Sequence, residues 1–282
     1  MNYRIHNLNN YFIAGLSLVI AFLLTQSAPA AQAIQTLPFY DSFDYSPGGL
    51  ASASSTVWET CYATANIAVT TNSLTLAGFV PSAGNSVYGA SSGTRFAGTQ
   101  FTSQTNTDGN TVYVSFLYQV TAYPTTTPGV IAFLDSTNIG TSSGAVLPAH
   151  AGLALLMDHT GHIGINAGST TNTGAQFESA ATALSNTVLI VARYTFHPAG
   201  KDVVNLWANP ASANYGAAAA PTPDATVTNS YNLGYLANFT ISYRNGDATF
   251  GEKWDEVRIG TNWAQVVPSS NLPGLASAAH SL

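Results

Sequence analysis

The sequence predicts an all-β protein, built as two antiparallel sheets packed face to face in a sandwich of jelly-roll type. Short apolar or alternating runs recur along the chain with turn signals between them, which is how strands and their connections are spelled. No stretch sustains the 3.6-residue apolar period of a helix. The composition is 46% apolar but only 7% charged. That excludes a disordered chain, which would be charged and poor in aromatics, and it suits a β-protein with a neutral polar surface. With 282 residues and no linker-like break, the fold is expected to be a single large domain.

Residues 1–33 read as a secretory signal segment. Arg4 stands in a polar start, an apolar run extends from Tyr11 to Leu24, and Ala28-Pro29-Ala30 and Ala31-Gln32-Ala33 both fit an A-x-A cleavage site. The run is too short for a membrane span, which takes about 20 residues. Cleavage leaves six basic against thirteen acidic residues, a net charge near −7. Nucleic acid is thereby excluded as a partner, and no membrane span is expected in the mature chain. Secretion, to the exterior or to a periplasm, is the expected localisation. Cys61 is the sole cysteine, so the domain is held by its core rather than by an intrachain disulfide.

The domain itself is expected over residues 34–268, with 269–282 as a flexible tail. It opens on Phe39, Phe43 and Tyr45 along one alternating face and turns at Ser46-Pro47-Gly48-Gly49. Trp58 reads as a buried anchor in an irregular stretch. Strands are then expected at 66–71, 73–80, 111–121, 129–135, 152–158, 162–166, 187–196, 202–208, 232–243 and 253–260. Val112 to Val120 alternates, with one apolar face and one mixed face carrying Tyr113. Val188-Leu189-Ile190-Val191-Ala192 is apolar without a break, the pattern of a strand covered on both sides. Tight hairpins are marked by Asp158-His159-Thr160-Gly161 and by His197 to Asp202.

The closing run Glu252-Lys253-Trp254-Asp255-Glu256-Val257-Arg258-Ile259-Gly260 holds much of the chain's charge. Strict alternation puts Asp255, Val257 and Ile259 on one face and Glu252, Trp254, Glu256 and Arg258 on the other. Val257 and Ile259 are expected in the core, Asp255 as a hydrogen-bonding tie to a loop, and Trp207 and Trp254 as structural plugs.

Four motifs together resemble the concanavalin A-like lectin/glucanase superfamily, in the laminin-G-like branch of bacterial secreted proteins. They are Phe39 to Leu50, the Asp158–Gly161 hairpin, Asn205-Leu206-Trp207-Ala208-Asn209-Pro210, and Trp254 to Gly260 followed by Trp263 and Val266-Val267-Pro268. The resemblance implies a fold shared by lectins, adhesion modules, hydrolases and lyases, and calcium is the cofactor it implies. Oxygen donors for calcium stand at Asp41, Asp44, Asn106, Asp108 and Asp135, without the spacing of a calcium loop.

Three chemistries can be weighed on the residues. Glu252 and Glu256 are the best acids for a glycosidase. On one strand face, however, they sit roughly 13 Å apart, against about 5–5.5 Å for a retaining pair and 6.5–9.5 Å for an inverting one. Asp158, His159 and His162 straddle a turn and, with Asp135, are the candidate metal ligands, although turn histidines are ordinarily just exposed polar residues. Sugar recognition needs aromatic faces beside amides and hydroxyls, and Tyr215, Tyr231, Tyr235 and Trp263 stand in or near loops where they can serve. The expected function is a secreted, non-catalytic binding protein for an extracellular glycan or cell-surface component. A carbohydrate-active enzyme, hydrolase or lyase, and a structural protein of the cell surface or matrix are the alternatives.

Overall fold

The computed structural model describes residues 32–62, 67–90, 95–125, 128–136, 151–168, 174–228, 232–244 and 250–270. Most of the expected signal segment, the expected tail beyond Ser270, and Tyr231 lie outside the described residues, as does the side chain of Cys61. The strands, in chain order, begin with β1 (Ile34–Gln35), β2 (Phe39–Asp41), β3 (Gly48–Gly49), β4 (Glu59–Tyr62), β5 (Ala68–Thr70) and β6 (Ser86–Ala90). Then follow β7 (Arg95–Thr105), β8 (Thr111–Ala122), β9 (Gly129–Asp135), β10 (Leu153–Met157), β11 (Ile163–Asn166) and β12 (Gln176–Phe177). The series ends with β13 (Thr187–Thr195), β14 (Val203–Ala208), β15 (Ala225–Thr228), β16 (Tyr235–Arg244) and β17 (Gly251–Gly260). Two four-residue helices, α1 (Leu50–Ala53) and α2 (Trp263–Val266), flank strands.

These strands form two sheets, antiparallel apart from the β1–β7 pair. One runs β1-β7-β16-β9-β10-β11-β12, with β4 also on β7; the other runs β15-β14-β13-β8-β17-β6-β5-β3, with β2 on β17. The chain is therefore the all-β, two-sheet antiparallel sandwich that its pattern predicts. Between the sheets lies the main core, with Phe116, Tyr118 and Val120 of β8 and Ile190 and Ala192 of β13 facing Ile131, Leu155, Ile163, Phe239 and Ile241. The second sheet is buried on its outer side as well. Tyr113, Leu117, Leu189, Val191 and Trp207 are covered there by Leu74, Phe79, Tyr215, Trp263, Val266 and Val267. The unbroken apolar run of β13 is thus explained, because Leu189 and Val191 face outward to this second cluster. Fully burying one such side chain stabilises by about 1.5–3 kcal/mol, which draws the loops and α2 down onto the sheet.

Two local expectations give way. Residues 73–80 alternate like a strand but form a loop, touching the ladder only through an isolated Phe79–Ser269 bridge. Its Leu74 N–H donates to the Asp255 carboxylate at 2.7 Å instead of to a neighbouring strand, and Leu74 and Phe79 insert into the outer cluster. Conversely β7, rich in Thr, Gln and Ser, lacks the apolar alternation that marks a strand, yet it pairs along most of its length with β16. Partners with their own apolar faces supply its strand identity.

The alternation of β17 is also broken. Lys253, Trp254 and Asp255 oppose Gln119, Tyr118 and Leu117, but the next paired residue is Arg258, opposite Ser115. Glu256 and Val257 thus share the space opposite Phe116, and Glu256 takes a left-handed backbone with φ of 54°. This β-bulge inserts one residue and rephases the side chains. Trp254, Val257 and Ile259 accordingly face the main core together, while Asp255, Glu256 and Arg258 lie on the outer side.

Candidate functional site

A row of cross-strand neighbours crosses the outer side of the second sheet. Tyr113 on β8 pairs with Arg193 on β13, Arg193 with Asn205 on β14, and Asn205 with Thr226 on β15. Directly opposed side chains on one face stand close enough to touch, and here they form a relay. The Arg193 Nε and Nη2 donate to Asn205 Oδ1 at 3.0 and 2.7 Å, and Nη1 donates to the Tyr113 hydroxyl at 3.1 Å. Asn205 Nδ2 donates in turn to Thr226 Oγ1 at 2.9 Å, which fixes the amide with its oxygen toward the arginine. The guanidinium carbon lies 5.7 Å from the Tyr113 ring centre and 5.4 Å from that of Trp207.

Over the Tyr113–Arg193 end of this row opens a cavity of 460 Å³, within the range of small-molecule sites. Trp207 and Trp263 form its floor, 5.2 Å apart in an edge-to-face arrangement. Trp207 also stacks on Tyr113 at 6.2 Å. Both indoles are buried and anchored, Trp207 Nε1 donating to Pro221 O and Trp263 Nε1 to Asn214 O, each at 2.9 Å. One wall is Ala218, Ala219 and Ala220 with Pro221 and Pro223; Thr111, Thr261 and Asn262 form a polar rim. Thr111 Oγ1 donates to Thr261 O at 2.7 Å. Asn262 caps α2 by accepting from Gln265 N at 3.1 Å, so the rim is tied to the helix that presents Trp263. The wall is of small residues and prolines, which restrain the backbone and leave the volume open.

Among the described sequence-proposed sugar-binding aromatics, Trp263 lines the cavity. Tyr215 is buried next to it, edge-on to Phe79 at 5.6 Å, and Tyr235 begins β16 in the other sheet with 42% of its surface exposed. The sequence pattern marks none of Tyr113, Arg193 and Asn205 as a ligand-binding residue, although Asn205 opens one of the four motifs and Tyr113 stands on the mixed face of its strand. The available signal is Arg193 itself, a cation following the apolar run of β13.

The two glutamates are separated by the bulge. Glu252 points between the sheets, fully buried, with Oε2 accepting from the Tyr118 hydroxyl at 2.8 Å and Oε1 without a partner among the described residues. Burial pushes its carboxyl well above the usual range. Glu256 is buried on the outer side, where it accepts from Tyr40 OH at 2.9 Å, Ala83 N at 3.1 Å and Arg258 Nη2 at 2.7 Å. Neither lines the cavity. Asp255 Oδ1 accepts from Glu256 N and Oδ2 from Leu74 N, both at 2.7 Å. Burial first, and then the Glu256 charge beside it, push its carboxyl up to about 9.

The metal candidates do not converge. Asp158 Oδ1 accepts from the backbone of Thr160 and His162 at 2.8 Å, stapling the β10–β11 hairpin, and its Oδ2 lies 3.2 Å from His162 Nδ1. His159 is exposed at the turn, whereas Asp135 is buried on β9 and accepts from Ser136 N. The donors considered for calcium are scattered too: Asp41 accepts from Trp58 Nε1, Tyr45 OH and Phe43 N, each at 2.7 Å, and Asp108 lies 3.0 Å from His197. Among the described residues no group of three His, Cys, Asp or Glu is placed to hold a metal ion.

No protein-family model and no curated protein matches the chain. Solved structures to which it is similar include an endo-β-1,4-glucuronan lyase from the fungus Trichoderma reesei, at 11% identity over 67% of this chain and 85% of that one, with a TM-score of 0.42. Lectin II from Ulex europaeus is similar at 13% identity over 80% and 99%, with a TM-score of 0.42. The potassium-bound carbohydrate recognition domain of Emp46p is similar at 7% identity over 65% and 86%, with a TM-score of 0.42. These neighbours are jelly-roll proteins. No helix among the described residues is long and apolar enough to cross a membrane.

Proposed function

We propose that the protein is a secreted, non-catalytic binding protein of the laminin-G-like branch, and that it recognises an extracellular glycan in the Trp207–Trp263 cavity. The observation that carries this reading is the lining. An aromatic floor stands beside an arginine, an asparagine and two threonines in one preformed recess, and such a set suits a ligand with apolar C–H faces and many hydroxyls. Among the described residues no carboxylate stands in that lining, which supports binding over hydrolysis, since hydrolysis needs a pair of acids flanking the scissile bond.

The test is a glycan array probed with the mature chain and with Ala219→Trp. Ala219 is exposed on the cavity wall, so a tryptophan there fills the recess without entering the core. Glycan binding by the parent and its loss in the folded variant are the expected results. Binding that survives the plug removes the cavity from the proposal, and a blank array for the parent removes the glycan.

A further inference from the structure

The cavity contains a cation without an anion. Arg193 has five N–H donors, of which Asn205 Oδ1 takes two and the Tyr113 hydroxyl one. One donor therefore remains on each terminal nitrogen. The three ion pairs found among the described residues all lie elsewhere, and no carboxylate among those residues lines the cavity. Asp224, beside the wall residue Pro223, has its Oδ2 engaged by Ala208 N at 2.8 Å. The guanidinium is fixed by neutral oxygens and aromatic rings, and it keeps its full charge toward the cavity.

We infer that this site is built for an acidic saccharide, a uronate whose carboxylate accepts from the two remaining Arg193 donors while its ring occupies the recess. This rests on the glycan reading above. A planar guanidinium with one free N–H on each of two nitrogens can address both oxygens of a carboxylate, and such charge-assisted bonds are about twice as strong as neutral ones. The pairing also gains from the aromatic surroundings, which keep water away from one side of the charge. The volume separates a saccharide from a bare anion. A recess of 460 Å³ is many times the roughly 30 Å³ share of one water, so a small inorganic ion would leave most of it filled with solvent. The chain's own net charge of −6 opposes any acidic ligand at long range, so recognition has to be local, and the effect of salt on it is that of one ion pair rather than of a basic surface.

The experiment is calorimetric titration of the mature chain with oligomers of galacturonate, glucuronate and mannuronate, each beside its methyl ester, and with sodium sulfate. Acid and ester share ring and linkage and differ in charge. At least one acid is expected to bind ten-fold or more tightly than its ester. Arg193→Gln should bind that acid and its ester equally, and Arg193→Lys, which keeps the charge but not the fork, should fall between. Esters that bind as well as acids overturn the inference and leave the glycan reading standing. Failure of every uronate and ester overturns the inference while the glycan array decides the glycan reading, and binding of sulfate alone marks a simple anion site and overturns the inference. The acid-against-ester comparison in the parent chain requires no variant to fold.

Discussion

Two arginines on the outer side of the same sheet differ in one component. Arg258 lies over the Tyr40 ring at 3.8 Å and is completed by Glu256 at 2.7 Å, both partners buried. Arg193 lies against Tyr113 and Trp207 and is held by Asn205 and Tyr113, with no carboxylate partner among the described residues. The first site is closed, because the loop whose Ala83 N–H reaches Glu256 covers it. The second opens into a cavity. A charge with all its partners inside the protein is architecture, and one whose countercharge is missing is available to a ligand.

Removing the countercharge from the closed site is the most damaging way to break that contrast. Glu256→Gln leaves Arg258 buried beside a neutral amide, and destabilisation by about 3–5 kcal/mol is expected in chemical denaturation. A loss below about 1 kcal/mol would mean that the two arginines are equivalent. The second test is pH. Because the folded protein retains the Asp255 proton up to about pH 9 against an ordinary value of 3.8, this group's contribution to stability is fully present below about pH 4. It is lost progressively as pH rises through that window. Asp255→Asn should flatten the stability profile over the same range, and an unchanged slope would assign the dependence to another group.

Effects at the open site should be smaller. Arg193→Gln breaks no ion pair and gives up only ring contacts and hydrogen bonds to neutral acceptors, so a cost of about 1–2 kcal/mol is expected. A loss as large as that of Glu256→Gln would reclassify Arg193 as structural. Tyr113→Phe keeps the stacked ring and removes one acceptor, for about 0.5–1.5 kcal/mol in thermal melting. It also frees a third Arg193 donor, so its affinity for an acidic oligosaccharide should be retained or increased.

Much of this architecture is written locally. The alternation of β8, the doubly apolar run of β13 and the two glycine-marked hairpins specify strands and turns from neighbouring residues alone, and they suffice for the sandwich. β7 illustrates the limit, since Thr and Gln read as polar surface until β16 is placed beside them. Residues 73–80 illustrate the converse, a strand pattern spent on inserting Leu74 and Phe79 into the outer cluster. Trp263 could be proposed as a cavity residue from its loop position; Arg193 and Asn205 could not, because their meaning lies in being opposite one another.

Fold class, charge-poor surface and the chemistry on offer follow from the order of residues alone, since composition and period-two patterning are properties of short stretches of chain. Which side of the sheet each charge occupies is set by strand pairing in the folded protein. A single bulge at Glu256 sends that carboxylate to Arg258 and leaves Glu252 between the sheets. Only the pairing of four strands brings Tyr113, Arg193, Asn205 and Thr226 into line. Both depend on partners distant in sequence, and no local pattern encodes which of them a side chain will meet.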